Sequence, residues 1–168
     1  MSRLKRWLRE ALILLLIVGA ALWGMDWLRA PQLPADLAQQ PLTSLQGEVN
    51  LAELSQDQPL LIYVWATWCG VCKLTTPTVA SMSQDGVNVV SVALRSGNDA
   101  RVATWLKKKG LQGVAINDES GAIGQRWDIS ATPTFIVLHQ GNVISTSSGW
   151  TSGWGLKLRL WISTLTST

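Results

Sequence analysis

An apolar run that leads into two cysteines constrains the fold more than any other feature of this chain. Leu60-Leu61-Ile62-Tyr63-Val64-Trp65 is short, β-branched and aromatic, and it follows Pro59. That pattern predicts a buried strand. Cys69-Gly70-Val71-Cys72 comes next and holds both cysteines of the chain. Beyond it the apolar spacing loosens to Leu74, Thr78, Val79 and Met82, a helical period that Gly86 ends. The spacing predicts Cys69 at a helix N-terminus and Cys72 one turn later on the same face. Unpaired N–H groups and the helix dipole there favour a thiolate over a thiol. A Cys-x-x-Cys pair at a strand-to-helix junction is a redox motif.

Charge and ligand inventory narrow the function classes. The chain carries a net charge of +3, but residues 1–29 hold five of the fourteen basic residues and only two of the eleven acids. Residues 30–168 are left with nine of each, so the basic surplus belongs to the N-terminal segment and no nucleic-acid partner is expected. No cysteine remains for a structural disulfide. A closed zinc site needs four protein ligands, and His139 is the only histidine, placed at the end of an apolar run. His139 is read as a strand-end residue, and neither a metal nor a cofactor site is expected.

Residues 1–29 read as a cytoplasmic tip and a membrane anchor. Arg3, Lys5, Arg6 and Arg9 precede the fifteen uncharged residues Ala11 to Met25. Fifteen residues span about 22 Å of helix against a bilayer core of about 30 Å. Trp7 and Trp27 lie twenty residues apart, about 30 Å along a helix, and tryptophans favour the two interfaces. The basic residues before the span keep the N-terminus cytoplasmic. A cleaved signal peptide is the rival, but its one small-residue site, Gly19-x-Ala21, falls inside the apolar run. Pro31, Pro34 and Pro41 make residues 30–41 a semi-rigid linker, and residues 42–168 form the remaining domain.

Within that domain Leu42 to Leu54, with Gly47 at its centre, predicts a small hairpin and a turn. Residues 87–94 form a second buried strand. Asn98 and Asp99 cap a helix with Val102, Trp105 and Leu106 on one face, and Gly110 stops it. Lys107-Lys108-Lys109 suits the last turn of that helix through its dipole. Residues 113–117 predict a short strand. A weak helix carrying Ile123 and Trp127 then delivers the chain to Pro133. Strands at 134–139 and 143–146 flank Gln140-Gly141-Asn142, a hairpin signal. The C-terminal segment sets Trp154, Leu158, Trp161 and Leu165 at amphipathic spacing. The ten tryptophans are read mainly as core or membrane-interface residues.

The string Trp65 to Cys72 resembles the active site of thioredoxin-fold proteins, and Ala131-Thr132-Pro133-Thr134 resembles their cis-proline loop. The interval between the two landmarks is longer than in plain thioredoxin. It is similar to the membrane-anchored TlpA/ResA/DsbE branch, and within that to the suppressor-for-copper-sensitivity protein D type. The resemblance implies an α/β thioredoxin-like fold, a central mixed sheet flanked by helices with a TlpA-type helix–strand insert, preceded by one transmembrane helix. It implies a protein disulfide oxidoreductase with Cys69 as nucleophile and Cys72 as resolving thiol. Gly70 and Val71 would tune the potential, Trp68 would pack beside the disulfide, and Thr132-Pro133 would dock the client backbone. No cofactor beyond the redox-active disulfide is implied. The partners implied are client proteins with cysteine thiols or disulfides, and a membrane redox protein that recycles the site. The implied location is the inner membrane, single-pass, with the catalytic domain in the periplasm.

Two positions depart from the family pattern. The buried acid of thioredoxins is replaced by Tyr63, and the glutamate of ResA-type proteins by Thr75. Asp128, Glu119 or water remain as proton acceptors for Cys72. Three functions stay open: disulfide exchange in copper tolerance, apocytochrome c reduction in cytochrome c maturation, and Cu(I) carriage by the two sulfurs. Soft Cu(I) suits paired thiolates, although Thr67 stands where small copper chaperones usually place methionine.

Overall fold

A computed structural model of the chain describes the backbone of residues 3–29 and 31–165, with the side chains of 3, 4, 22, 23 and 25–29 left aside. It divides into two compact units, Met1–Ala30 and Pro31–Thr168. The first is one helix, α1 (Arg3–Arg29), whose 27 residues extend about 40 Å. Arg6 and Glu10 pair at 3.1 Å across one turn, and Leu12 to Val18 are exposed on every side of the helix. The membrane-crossing anchor expected from the sequence is not found in that form: among the described residues, no helix is long and apolar enough to cross a membrane. Trp27, its far interfacial marker, lies outside the described side chains.

The second unit is built on a five-stranded sheet in the order β5-β4-β3-β6-β7. Its strands are β3 (Leu60–Trp65), β4 (Asn88–Leu94), β5 (Val114–Asp118), β6 (Thr134–His139) and β7 (Asn142–Ser148). The two β3–β4 and β4–β5 pairings are parallel, while β3–β6 and β6–β7 are antiparallel. The crossovers between the parallel strands are α3 (Cys72–Gln84) and α4 (Asp99–Lys109). Parallel strands need such helices, which is why the apolar runs here are continuous rather than alternating. The segments read from the sequence as a helix–strand insert form α4 and β5, and β5 lies at one edge of the sheet. A separate hairpin, β1 (Leu42–Ser44) and β2 (Gly47–Val49), precedes the short α2 (Leu51–Leu54).

All six β3 residues are buried, because the strand lies in the middle of the sheet with a core on each face. Leu61, Tyr63 and Trp65 face a cluster with Val79, Met82, Val102, Phe135 and Leu156. Leu60, Ile62 and Val64 face the other, with Leu37, Leu51, Ile116, Trp127 and Leu138. Trp65 stacks on Trp105 at 3.9 Å between ring centres, and Tyr63 on Phe135 at 5.3 Å. His139 is buried at the end of β6 with Nδ1 2.9 Å from the Ser163 carbonyl, a structural placement as expected.

Three boundaries differ from the sequence-based reading. Helix α3 opens at Cys72, so Cys69 sits in the turn before it. The strand β7 is longer than expected, because Asn142, Ser147 and Ser148 also pair with β6 despite being polar. The helix before Pro133 shrinks to α5 (Ala122–Arg126), since Gly121 takes a left-handed conformation at its start. The apolar stripe of α6 (Gly153–Leu165) is also placed unlike a core face: its buried residues are Leu156 and Ser163, while Trp154, Leu158, Trp161 and Leu165 are exposed.

Candidate active site

The turn between β3 and α3 is tied down before either cysteine is reached. The Thr67 N–H donates to the Ser96 hydroxyl at 2.9 Å, and the Trp68 indole N–H donates to the Arg95 carbonyl at 3.1 Å. Ser96 and Arg95 follow β4, the parallel neighbour of β3, so sheet pairing brings their loop alongside the cysteine turn. Arg95 itself adopts φ 44°, and its N–H donates to the Asp118 carbonyl at 2.9 Å. The left-handed backbone is uncommon for a residue with a side chain, and this bond holds it there. Nothing in the sequence marks Ser96 or Arg95 for this part.

Cys69 and Cys72 are joined in a disulfide. The Cys72 N–H donates to the Cys69 sulfur at 3.0 Å, so the first turn of α3 faces that sulfur. Cys69 is 5 % exposed and Cys72 fully buried, so attack from outside can reach only the first sulfur. Gly70 and Val71 face solvent between them.

Opposite the disulfide, the Thr132–Pro133 peptide bond is cis. The Thr132 carbonyl lies 3.4 Å from the Cys69 sulfur, while the Pro133 carbonyl accepts from the Gly149 N–H at 2.7 Å. Proline has no N–H, so none points at the sulfurs from that position. Trp68 is 62 % exposed, with its indole N–H held on the Arg95 carbonyl. Trp68, Arg95, Gln125 and Thr132 line an open groove of about 630 Å³ beside Cys69.

The two positions that depart from the family pattern touch one another. The Tyr63 hydroxyl lies 3.1 Å from the Thr75 hydroxyl, 2.9 Å from the Thr76 hydroxyl and 3.4 Å from the Cys72 carbonyl. Thr76 donates to that same carbonyl at 2.6 Å. A closed cluster of hydroxyls therefore stands under Cys72, with no carboxylate in it. Burial pushes the Tyr63 phenol above its ordinary range, partly offset by hydrogen bonds from Thr75 and Thr76, so it stays protonated near neutral pH. Neither alternative acceptor joins this cluster. Asp128 accepts from the Gln32 N–H at 3.4 Å, and Glu119 is exposed beyond β5. Among the described residues no group of three or more His, Cys, Asp or Glu converges on one point.

The family description Redoxin matches residues 32–149. A thioredoxin-like protein of Haemophilus influenzae is 39 % identical over 162 residues, covering 96 % of this chain and 97 % of its own. The thiol:disulfide interchange protein DsbE of Pseudomonas fluorescens biotype C is 27 % identical, covering 82 % of both chains. Among solved structures, StoA from Bacillus subtilis matches with a TM-score of 0.62 at 24 % identity, over 75 % of this chain and 98 % of its own. MTB dsbF matches with a TM-score of 0.65 at 22 % identity, over 78 % and 98 %. These two likenesses are of fold.

Proposed function

Because the chain belongs to the Redoxin family, and its relatives are named thioredoxin-like protein and thiol:disulfide interchange protein, we propose that it exchanges disulfides with cysteine-bearing client proteins, Cys69 attacking and Cys72 resolving. The observation that carries this reading is the pair of sulfurs with only Cys69 reachable, facing the Thr132 carbonyl. In the reducing direction the Cys69 thiolate attacks one sulfur of a client disulfide. The client bond breaks, and the released thiolate takes a proton from water. Cys72 then gives its proton to water and attacks the Cys69 sulfur, expelling the second client thiolate. Two electrons pass to the client, and a dithiol donor must reduce the pair again. The oxidising direction runs the same steps backwards. Gly70 and Val71 would tune the potential, Trp68 would form one wall of the client groove, and Thr132-Pro133 would dock the client backbone.

Trapping tests the assignment. Cys72→Ser removes the resolving thiol, so mixed disulfides with clients should accumulate through Cys69 and vanish on adding reductant. Cys69→Ser leaves a buried thiol and should give few adducts. Equal trapping by both variants would sink the assignment of roles.

We place the enzyme on the outer side of the inner membrane, held by α1 and recycled there by a membrane redox protein. The support is the run of exposed apolar side chains in α1 together with the basic residues before it. The copper-tolerance and cytochrome c settings both fit the same site, and the relatives' names, thioredoxin-like protein and thiol:disulfide interchange protein, favour neither. Copper carriage would use the two sulfurs, as among the described residues no group of three or more His, Cys, Asp or Glu converges. Copper titration of the reduced protein, set beside the trapping yield, separates carriage from exchange.

A further inference from the structure

The C-terminal helix presents an apolar face to water, on the side away from the sheet. Leu156 and Ser163 are buried, and Leu160 packs partly against the core; at 3.6 residues per turn these three share one narrow sector of the helix. Trp154, Leu158 and Trp161 fall in the opposite sector. Trp154 is 86 % exposed and Trp161 58 %. Single exposed apolar residues are ordinary, but a contiguous stripe of this kind marks a contact surface.

Charge indicates what the stripe meets. Helices α3 and α6 border a cleft of about 550 Å³ lined by Pro77, Thr78, Met82, Trp154 and Lys157. Between them the two helices carry Lys73, Lys157 and Arg159 and no acid, although residues 30–168 hold acids and bases in equal number. Arg159 is turned toward the sheet, where it donates to the Thr146 carbonyl at 3.2 Å, whereas Lys157 flanks the outward stripe. Pairing with a second copy would bring the Lys157 side chains of both copies to one seam, where neither α3 nor α6 supplies an acid to meet them. A negatively charged surface has no such conflict.

We propose that the outward face of α6 seats on an anionic lipid surface, with Trp154 and Trp161 entering the headgroup layer and Lys157 meeting its phosphates. Indoles favour that layer, and a helix with an apolar stripe flanked by cations is the form that lies in it. The inference rests on the proposed membrane location only in needing a bilayer within reach.

The test uses the full chain, in bilayers of phosphatidylcholine alone, in bilayers with one-third phosphatidylglycerol, and in neutral detergent. Hydroxyl-radical oxidation at Trp154, Trp161 and Trp68 is read by mass spectrometry. With phosphatidylglycerol, oxidation of Trp154 and Trp161 should fall at least threefold relative to detergent while Trp68 stays unchanged. Lys157→Glu should weaken that protection, and phosphatidylcholine alone should give less of it. Sedimentation with the bilayers but equal oxidation in every medium overturns the inference and leaves the membrane location standing. Failure to sediment with either bilayer overturns both. Protection in detergent that rises with protein concentration would mean a second copy covers the stripe, and also overturns it. Disulfide exchange assayed on the same samples reports separately on the enzyme.

Discussion

Tyr63 is buried between a strand and a helix, and its hydroxyl is satisfied only by neutral partners. Replacing it with Phe removes one hydroxyl and leaves Thr76 still donating to the Cys72 carbonyl. The cost should be about 1–2 kcal/mol of unfolding free energy, measured by urea titration. The pH dependence has a definite sign. Since burial raises the Tyr63 pKa, the unfolded chain ionises first as pH climbs past about 10, and stability contributed by the neutral phenol is lost above that point. Tyr63→Phe should flatten this alkaline fall and leave the neutral range alone. An unchanged alkaline limb would mean the phenol is not the group responsible. The sequence exposed Tyr63 and Thr75 separately as departures from a family pattern. Their contact joins residues twelve apart on different elements, and no local pattern encodes it. Cys69, Cys72 and Thr132-Pro133 were legible because each lies in a short contiguous motif at an element boundary.

At the scale of elements, the short helix α5 shows how a five-residue segment whose N-cap is Gly121, a residue without a side chain, is held. The Asp118 carboxylate, buried at the end of β5, accepts from the N–H groups of Ile123 and Gly124 at 3.1 and 2.7 Å. Gly124 is also pressed against Leu94, so little room exists for a larger residue there. Hydrogen bonds to a charged group contribute about 1.5–3 kcal/mol each. Asp118→Ala should therefore cost at least about 2 kcal/mol, seen as a lower urea midpoint, and should loosen the wall of the groove that Gln125 lines. A loss under 0.5 kcal/mol would show that α5 is held by Trp127 and its packing instead. Strands β3, β4 and β6 were legible from their apolar runs, and α4 from its Asn98 cap and Gly110 stop. The α6 stripe was legible as a period but not as a direction. Helical spacing says which residues share a face, and only the packing of Leu156 says which face is inside.

On the scale of the molecule, the two compact units ask for different surroundings. The described apolar side chains Leu12 to Val18 of α1 are exposed, and residues 30–168 hold acids and bases in equal number. If α1 is held in a bilayer, Leu14→Asp with Leu16→Asp should release the chain to the soluble fraction, since an Asp at a helix centre costs about 2.5–3.5 kcal/mol on insertion scales. Retention of the double variant in alkaline-washed membranes would refute anchoring by α1. The position of β3 has a separate consequence, in the order in which the domain comes apart. The strand is laddered on both edges and covered on both faces, and the turn that carries Cys69 grows directly from its end. Local opening proceeds from the least protected segments inward, so the amide hydrogens of Ile62 and Val64 should be among the last to exchange with deuterium. Breaking the Cys69–Cys72 bond should speed exchange at Gly70 to Lys73 by far more than at β3. The catalytic turn would then cycle through its two redox states on a foundation that opens only when the whole domain does.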